Sequence, residues 1–351
     1  MKKNVIVLFG GISSEYYVSL SSAVSIITHF PFEQFNLIKV GINQDGQWLM
    51  GNFTGEEIIE DRWMNNSEAE EVSPSTQKNS SLIRMRTQKP LHIDTVIHCI
   101  HGKYGEDGII QAQLEMSGIR YVGSGITSSA ICYDKEIIHR LMKSEKIRMV
   151  EYIVLHQATI DDQKYNQIVN KMGKTLVIKP AREGSSYGVN VVHNFNEFTF
   201  GLKEAWKYDH KILVEKYIKG IEIGCSIAKI KGHLIASICD EIELNTEIFD
   251  YSGKYSFKNA LVHCPARISE QNSILIQKFA KQIFTLLECR DMARIDFFLD
   301  YDQNIYLNEI NTIPGFTSHS RFPLMMEQSG IGYSELIKHL INNSLETDYV
   351  R

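Results

Sequence analysis

An α/β chain of two or three domains is what the sequence predicts, and three stretches carry that prediction. The apolar run Val5-Ile-Val-Leu-Phe9 meets Gly10-Gly11 and then a helical pattern, as the first strand of an open sheet does. Through the middle of the chain, β-branched runs at 175–179, 189–193 and 211–216 outnumber helices. Late in the chain, Met292–Leu299 and Ile305–Asn311 read as two antiparallel strands around the polar turn Asp300-Tyr-Asp-Gln-Asn304. At 351 residues the chain exceeds one ordinary core.

Composition narrows the class. The net charge is −5, from 37 basic and 42 acidic residues, with no long Lys/Arg run, which argues against nucleic acid or an anionic membrane as partner. The N-terminal apolar run is too short for a signal-peptide core, and no stretch approaches a membrane span. Six scattered cysteines form no CxxC pair, so neither zinc nor a disulfide framework is implied. A reduced, cytoplasmic, enzyme-sized chain is the expectation.

In order, the first strand leads to a helix from about Tyr16 to Thr28. Ser13 or Ser14 can cap it, which puts Glu15 in a first turn where the helix dipole favours an anion. Strands at 36–42 and 94–99 extend a parallel sheet, with a polar loop or edge hairpin between them at 65–90. His101-Gly-Lys-Tyr-Gly-Glu-Asp-Gly108 follows a strand's carboxyl end, where open α/β sheets place ligands. A helix from Ile109 to Ser117 and a short strand at Tyr121 close this part near residue 125. One helix from Ser128 to Ser144 then carries Asp134-Lys135, and a helix from Glu197 to Tyr208 separates two of the middle strands. Strands at 221–230 and 233–239 join through Lys231-Gly232, residues 245–258 form a long loop, and helices are expected at 269–288 and 333–343.

Four segments carry chemistry. Along the late hairpin, alternation puts Arg294 with Asp296 and Glu309 with Asn311, each pair on one face. Charges among such bulky apolar neighbours need partners, and these oxygen ligands suit Mg²⁺ rather than zinc; an exposed face with a salt bridge is the alternative. The run Lys179-Pro-Ala-Arg-Glu-Gly-Ser-Ser-Tyr-Gly188 lacks the P-loop order and precedes a strand, so it reads as a glycine-containing loop able to lie over a triphosphate, or as an ordinary hairpin. Glu215-Lys216 ends a strand where backbone groups can pair with an adenine edge, and Glu222 can accept from ribose hydroxyls. In Asn311–Pro323, the Pro314-Gly315 turn frees backbone N–H groups for an oxyanion, with Ser318, Ser320 and Arg321 as further donors.

Together these residues resemble the ATP-grasp fold. Gly10-Gly-x-Ser-Ser-Glu, His101-Gly-x-x-Gly-Glu-Asp-Gly, Phe249-Asp-Tyr-x-x-Lys-Tyr255 and Asn311-Thr-x-Pro-Gly-Phe-Thr-Ser-His-Ser are similar to the D-alanine–D-alanine ligases and their relatives, from the first strand to the last helix. The resemblance implies a three-domain α/β (α+β) fold: a substrate-binding domain at 1–125, and domains at 126–216 and 217–351 that sandwich ATP. Lys135 and Lys179 would contact the phosphates; Glu183, Gly184, Ser186, Lys254 and Asn308 would line the nucleotide; Glu215, Lys216 and Glu222 would hold adenosine. Two Mg²⁺, with Mn²⁺ as a possible substitute, would be shared by Asp296, Glu309 and Asn311. Glu15 would bind the ammonium of D-alanine and join Ser185 and Tyr255 in a network closing the site, beside His101. Arg294 and the Gly315 N–H would stabilise the oxyanion, and Lys254 with Ser320 would take the second substrate's carboxylate. A homodimer is the family's tendency.

One position departs from the D-alanine–D-alanine pattern. Arg321 stands where those ligases usually carry a small apolar side chain. Its run Thr317-Ser-His-Ser-Arg-Phe-Pro323, with Gly220-Ile-Glu-Ile-Gly-Cys225, looks like the D-alanine–D-serine ligases of vancomycin resistance. A guanidinium there could hydrogen-bond a hydroxymethyl group, and a site built to pair a hydroxyl rejects the analogue lacking it. An Arg321 turned outward over Phe322 or Met325 is the other reading.

Overall fold

The computed structural model describes residues 2–156, 160–244 and 260–346. They form three sheets. The first has eight strands in the order Lys89–His92, Ser81–Arg84, Glu70–Pro74, Trp48–Met50, Phe35–Ile42, Lys3–Gly10, Thr95–His98 and Arg120–Tyr121. Only the last four run parallel. The expected parallel sheet is therefore a mixed one. The polar stretch at 65–90 supplies much of an antiparallel meander, anchored inward by Val72 and Leu82. Antiparallel strands tolerate one solvated face, which is why such polar sequence can still pair.

The second sheet is antiparallel, in the order Asn190–Val192, Leu176–Pro180, Lys211–Lys216 and Tyr152–His156. The strand Tyr152–His156 and the helix Asp162–Met172 were not anticipated. That helix is capped by Asp161 and buries Tyr165, Ile168 and Met172, a three- and four-residue spacing against the core shared with Phe198 and Leu202. The helix at 197–208 runs instead from Phe195 to Ala205, capped by Asn194.

The third sheet places Gly220–Ile230 at its centre, between His233–Leu244 and Met292–Asp300. Ala260–His263 and Ile305–Asn311 form its edges. Its Lys231-Gly232 turn has both residues at positive φ, 49° and 80°, the geometry a tight two-residue hairpin requires. The helix Glu270–Leu286, capped by Ser269, buries Ile276, Ala280 and Ile283 against this sheet.

Two features differ from expectation in ways that matter for the site. The helix expected at 128–144 is two helices, Ile126–Tyr133 and Lys135–Ser144, broken at an extended Asp134. The Asp134 carboxylate accepts the Glu136 and Ile137 N–H groups and a bond from Lys211 Nζ. That arrangement starts the second helix at Lys135. The unanticipated helix Arg321–Gln328, with Tyr333–Glu346, inserts Phe322, Leu336, Ile337 and Leu340 into one core with Phe9 and Leu20. The two ends of the chain are thus packed together, and Thr95 and Ser344 share a buried hydroxyl bond of 2.8 Å. Among the described residues no helix is long and apolar enough to cross a membrane.

Candidate active site

The site is built from the late hairpin upward. Arg294 lies opposite Asn311 and Asp296 opposite Glu309, with the register shifting by one residue between Asp296 and Phe297. Asn308 is the extra residue. Without that bulge Asn308 would oppose Asp296 and Glu309 would turn to the other face. Asp296 is fully buried, and Arg294 donates to it from Nε and Nη2 at 2.8–3.0 Å. The Asn311 amide reaches Asp296 Oδ2 at 3.2 Å and Glu309 Oε1 at 3.5 Å. The expected group of Arg294, Asp296, Glu309 and Asn311 therefore converges on one face.

Across the same face lies Glu222, on the neighbouring strand. Burial, with Asp296 and Glu309 facing it, pushes its carboxyl up to about 7 in spite of the Arg321 charge. Glu222, expected at the adenosine, stands beside these carboxylates and Arg321. Such crowding of carboxylates is relieved by protonation or by cations, and Arg294 and Arg321 already supply charge here. Among the described residues no three of His, Cys, Asp and Glu are arranged to hold a metal. A cation here would thus depend on the Asn311 amide oxygen as well as the Asp296 and Glu309 carboxylates. Its amide nitrogen faces those carboxylates, and a half-turn of the amide presents the oxygen to the same centre. This all-oxygen set fits a hard divalent ion.

Arg321 is buried, not turned outward over Phe322 or Met325. Nor is its guanidinium an open fork. Nε and Nη2 each donate to Asp240 at 2.8 Å, Nη1 donates to Glu222 at 3.0 Å, and Nη2 is 3.4 Å from Asp296. Asp240 and Glu222 thus take three of its five N–H groups and set the direction of the guanidinium expected beside a substrate hydroxyl. Asp240, fully buried, accepts also from the Gly224 N–H, and sequence reading missed it because its partner is 81 residues away.

On the second sheet, Lys179 and Glu215 sit on adjacent antiparallel strands and pair at 2.8 Å. His139, on the helix beginning at Lys135, meets Glu215 Oε1 at 2.9 Å. Burial pushes the Glu215 carboxyl up, but the Lys179 charge and the His139 bond outweigh it and hold it at about 2. Lys179 was expected at phosphates and the Glu215 side chain at adenosine; each turns first to the other. Lys216 is exposed at the strand's end. Lys135 donates to the Glu183 carbonyl at 2.7 Å and stands 4.0 Å from Glu309.

The 183–188 loop closes on the N-terminal sheet. Ser185 Oγ donates to Glu15 Oε1, and Ser14 donates to the Glu183 carboxylate at 2.8 Å. Ser185 and Ser186 both have positive φ, 46° and 58°, a strained pair of the kind found at ligand clamps. Glu15 is the helix N-cap residue rather than a first-turn residue, and Ser13 accepts its N–H instead of capping the helix. Its carboxylate lies between Gly102 and Gly184, where a Cβ on either would come 2.7 Å from Oε2. Burial raises the Glu15 carboxyl, and the Ser185 bond partly offsets that. Glu106, absent from the sequence-based set, accepts the Gly102 N–H at 3.0 Å; burial, then the Glu15 charge, pushes it up to about 8. His101 does not turn a free ring nitrogen to this space: Nδ1 meets the Ile313 carbonyl at 3.0 Å and Nε2 meets Ser22 at 3.1 Å. It ties the glycine loop to the turn that carries Gly315. Ser320 Oγ would lie 3.1 Å from a Cβ on Gly315, and bonds Thr317. Lys254 and Tyr255, with the whole Phe249–Tyr255 motif, lie outside the described residues.

Comparison with known proteins covers nearly the whole chain. Residues 4–124 match the D-ala D-ala ligase N-terminus family and residues 141–342 the D-ala D-ala ligase C-terminus family. A D-alanine–D-alanine ligase of Caldicellulosiruptor bescii is 37% identical, over 98% of this chain and 96% of its own. The vancomycin/teicoplanin A-type resistance protein VanA of Enterococcus faecium is 36% identical, over 97% of each. Among solved structures, the VanG D-Ala:D-Ser ligase of Enterococcus faecalis superposes with a TM-score of 0.89 at 34% identity, covering 98% of this chain and 100% of that one. The D-alanine–D-alanine ligase of Coxiella burnetii gives 0.85 at 28% identity, covering 98% and 96%.

Proposed function

The chain belongs to the D-alanine–D-alanine ligase family, and we propose that it is an ATP-dependent ligase joining D-alanine to D-serine. One observation carries the ligase reading. Glu15, held by Ser185 of the 183–188 loop, lies within electrostatic reach of Glu309, Lys135 and Arg294, and Lys135 bonds Glu183 of that loop and stands 4.0 Å from Glu309.

On this reading adenosine lies near Glu215 and Lys216, with its phosphates under the 183–188 loop beside Lys135 and Lys179. Magnesium, or manganese in its place, would be held by Asp296, Glu309 and Asn311, and when bound supplies neutralising charge to the phosphoryl oxygens. Glu15 takes the ammonium of D-alanine, whose carboxylate attacks the γ-phosphorus; ADP leaves and a D-alanyl phosphate remains. The second amino acid's amine, having lost a proton, adds to that carbonyl and phosphate departs. Arg294 and the Gly315 N–H receive the oxyanion. Ser320 holds the acceptor carboxylate. Closure matters because an acyl phosphate hydrolyses in water.

D-Serine as acceptor is supported by likeness to the VanG enzyme along the whole chain. Arg321, its guanidinium oriented by Asp240 and Glu222, is the residue assigned to that choice. D-Alanine as acceptor is the second reading, favoured by relatives such as the Caldicellulosiruptor ligase. Incubation with ATP, D-alanine and equal D-serine, followed by dipeptide analysis, separates them: D-alanyl-D-serine in excess supports the first, and D-alanyl-D-alanine in excess rejects it.

A further inference from the structure

The helix Lys135–Ser144 turns two side chains, one turn apart, toward residues of the candidate site. Lys135 reaches the Glu183 carbonyl and Glu309, at the end assigned to the phosphates. His139, four residues on, is 4% exposed and meets Glu215 at 2.9 Å, at the end assigned to the nucleoside. Its ring packs against Tyr152, tilted by 32° with centroids 4.1 Å apart, which restricts the direction of the imidazole. We propose that His139 is a positioning residue for nucleotide selection: it fixes the Glu215 carboxylate as a hydrogen-bond acceptor for the exocyclic amine of a 6-aminopurine. The proposal rests on the placement of adenosine at Glu215 given above.

The chemistry is one of donors and acceptors. An ionised carboxylate only accepts, and adenine offers an amino group where hypoxanthine offers a carbonyl. Glu215 is 3% exposed and cannot choose its orientation by hydration. Lys179 holds Oε2 and His139 holds Oε1, so the two together set both the charge and the plane of the carboxylate. Each oxygen keeps a further lone pair for a ligand donor. Lys179 alone leaves the carboxylate free to rotate about its last bond. A purine carrying oxygen at C6 would set acceptor against acceptor, which a buried site penalises.

The test measures phosphate release by the full chain with ATP and with ITP, using D-alanine and the better acceptor, for wild type, His139→Leu, His139→Gln and Glu215→Gln. The expected result for His139→Leu is a KM for ATP raised about tenfold, as for loss of a bond to a charged group, with kcat within about twofold and the ATP-over-ITP preference reduced by a similar factor. His139→Gln, whose amide can still donate to Glu215, is expected to recover most of both. A purely structural role would lower the melting temperature and kcat while leaving the ATP:ITP ratio unchanged, and that result overturns the proposal. If Glu215→Gln raises the KM for ATP and His139→Leu does not, the His139 inference fails alone. If neither variant alters it, the placement of adenosine fails as well.

Discussion

Arg321 lies across the backbone of Gly224, so that a Cβ on Gly224 would overlap both Arg321 Nη2 and the Asp240 carboxylate that holds it. This joins two segments that the sequence offered separately, Gly220–Cys225 and Thr317–Pro323. Gly224→Ala should separate a buried ion pair and destabilise the protein by about 3 kcal/mol. Urea denaturation measures this, and a change below about 0.5 kcal/mol would mean that the guanidinium does not occupy that space.

Replacing one partner of the same pair should cost more than replacing both. Arg321→Met leaves Asp240 buried and uncompensated, for a loss of about 3–5 kcal/mol. Adding Asp240→Leu should recover most of it, because an apolar pair replaces an orphaned charge. In the double variant, dipeptide analysis should give a lower D-serine to D-alanine ratio; an unchanged ratio would place acceptor choice elsewhere.

The Glu15 carboxylate is confined by two glycines, and Gly184 is the one with no positive-φ demand. Gly184→Ala should displace Oε2 and raise the KM for D-alanine about tenfold or more, with stability changed by less than about 1 kcal/mol. A normal KM would show that Glu15 does not touch the first substrate.

Acid should act through Glu215. Its folded-state pKa, about 2, lies below the ordinary 4.5, so the stability it contributes is present above about pH 4.5 and is lost as pH falls toward 2. For a group this buried the difference is roughly 3 kcal/mol. Glu215→Gln should therefore lose less stability than wild type between pH 5 and pH 3; parallel losses would contradict the Lys179–Glu215–His139 arrangement.

Magnesium with a non-hydrolysable ATP analogue, at about 100 times its Kd, should stabilise the wild type by about 2.7 kcal/mol. Asp296→Asn should abolish most of that rise, as read by thermal melting. An undiminished rise would remove Asp296 from the cation site.

The fold and the site were legible to different depths. The late hairpin could be read because bulky apolar residues alternate with Arg294, Asp296 and Asn311, and that period survives translation into a sheet. The bulge at Asn308 could not, since nothing local announces an extra residue. Asp134 breaks a helix that looks continuous because its cap is completed by Lys211, far along the chain. The partners that hold the site, His139 for Glu215 and Asp240 for Arg321, are separated by 76 and 81 residues. Periodicity carries no information about such meetings. Motif order did not show that strand pairing turns Glu222 toward Asp296.

The most direct test of the ligase reading is D-alanine-dependent phosphate release from ATP in magnesium, with the products separated by mass. The account predicts one phosphate per dipeptide formed, D-alanyl-D-serine exceeding D-alanyl-D-alanine when both acceptors are present, and both activities lost in Asp296→Asn. Phosphate release that ignores D-alanine, or none at all from a folded chain, would contradict it.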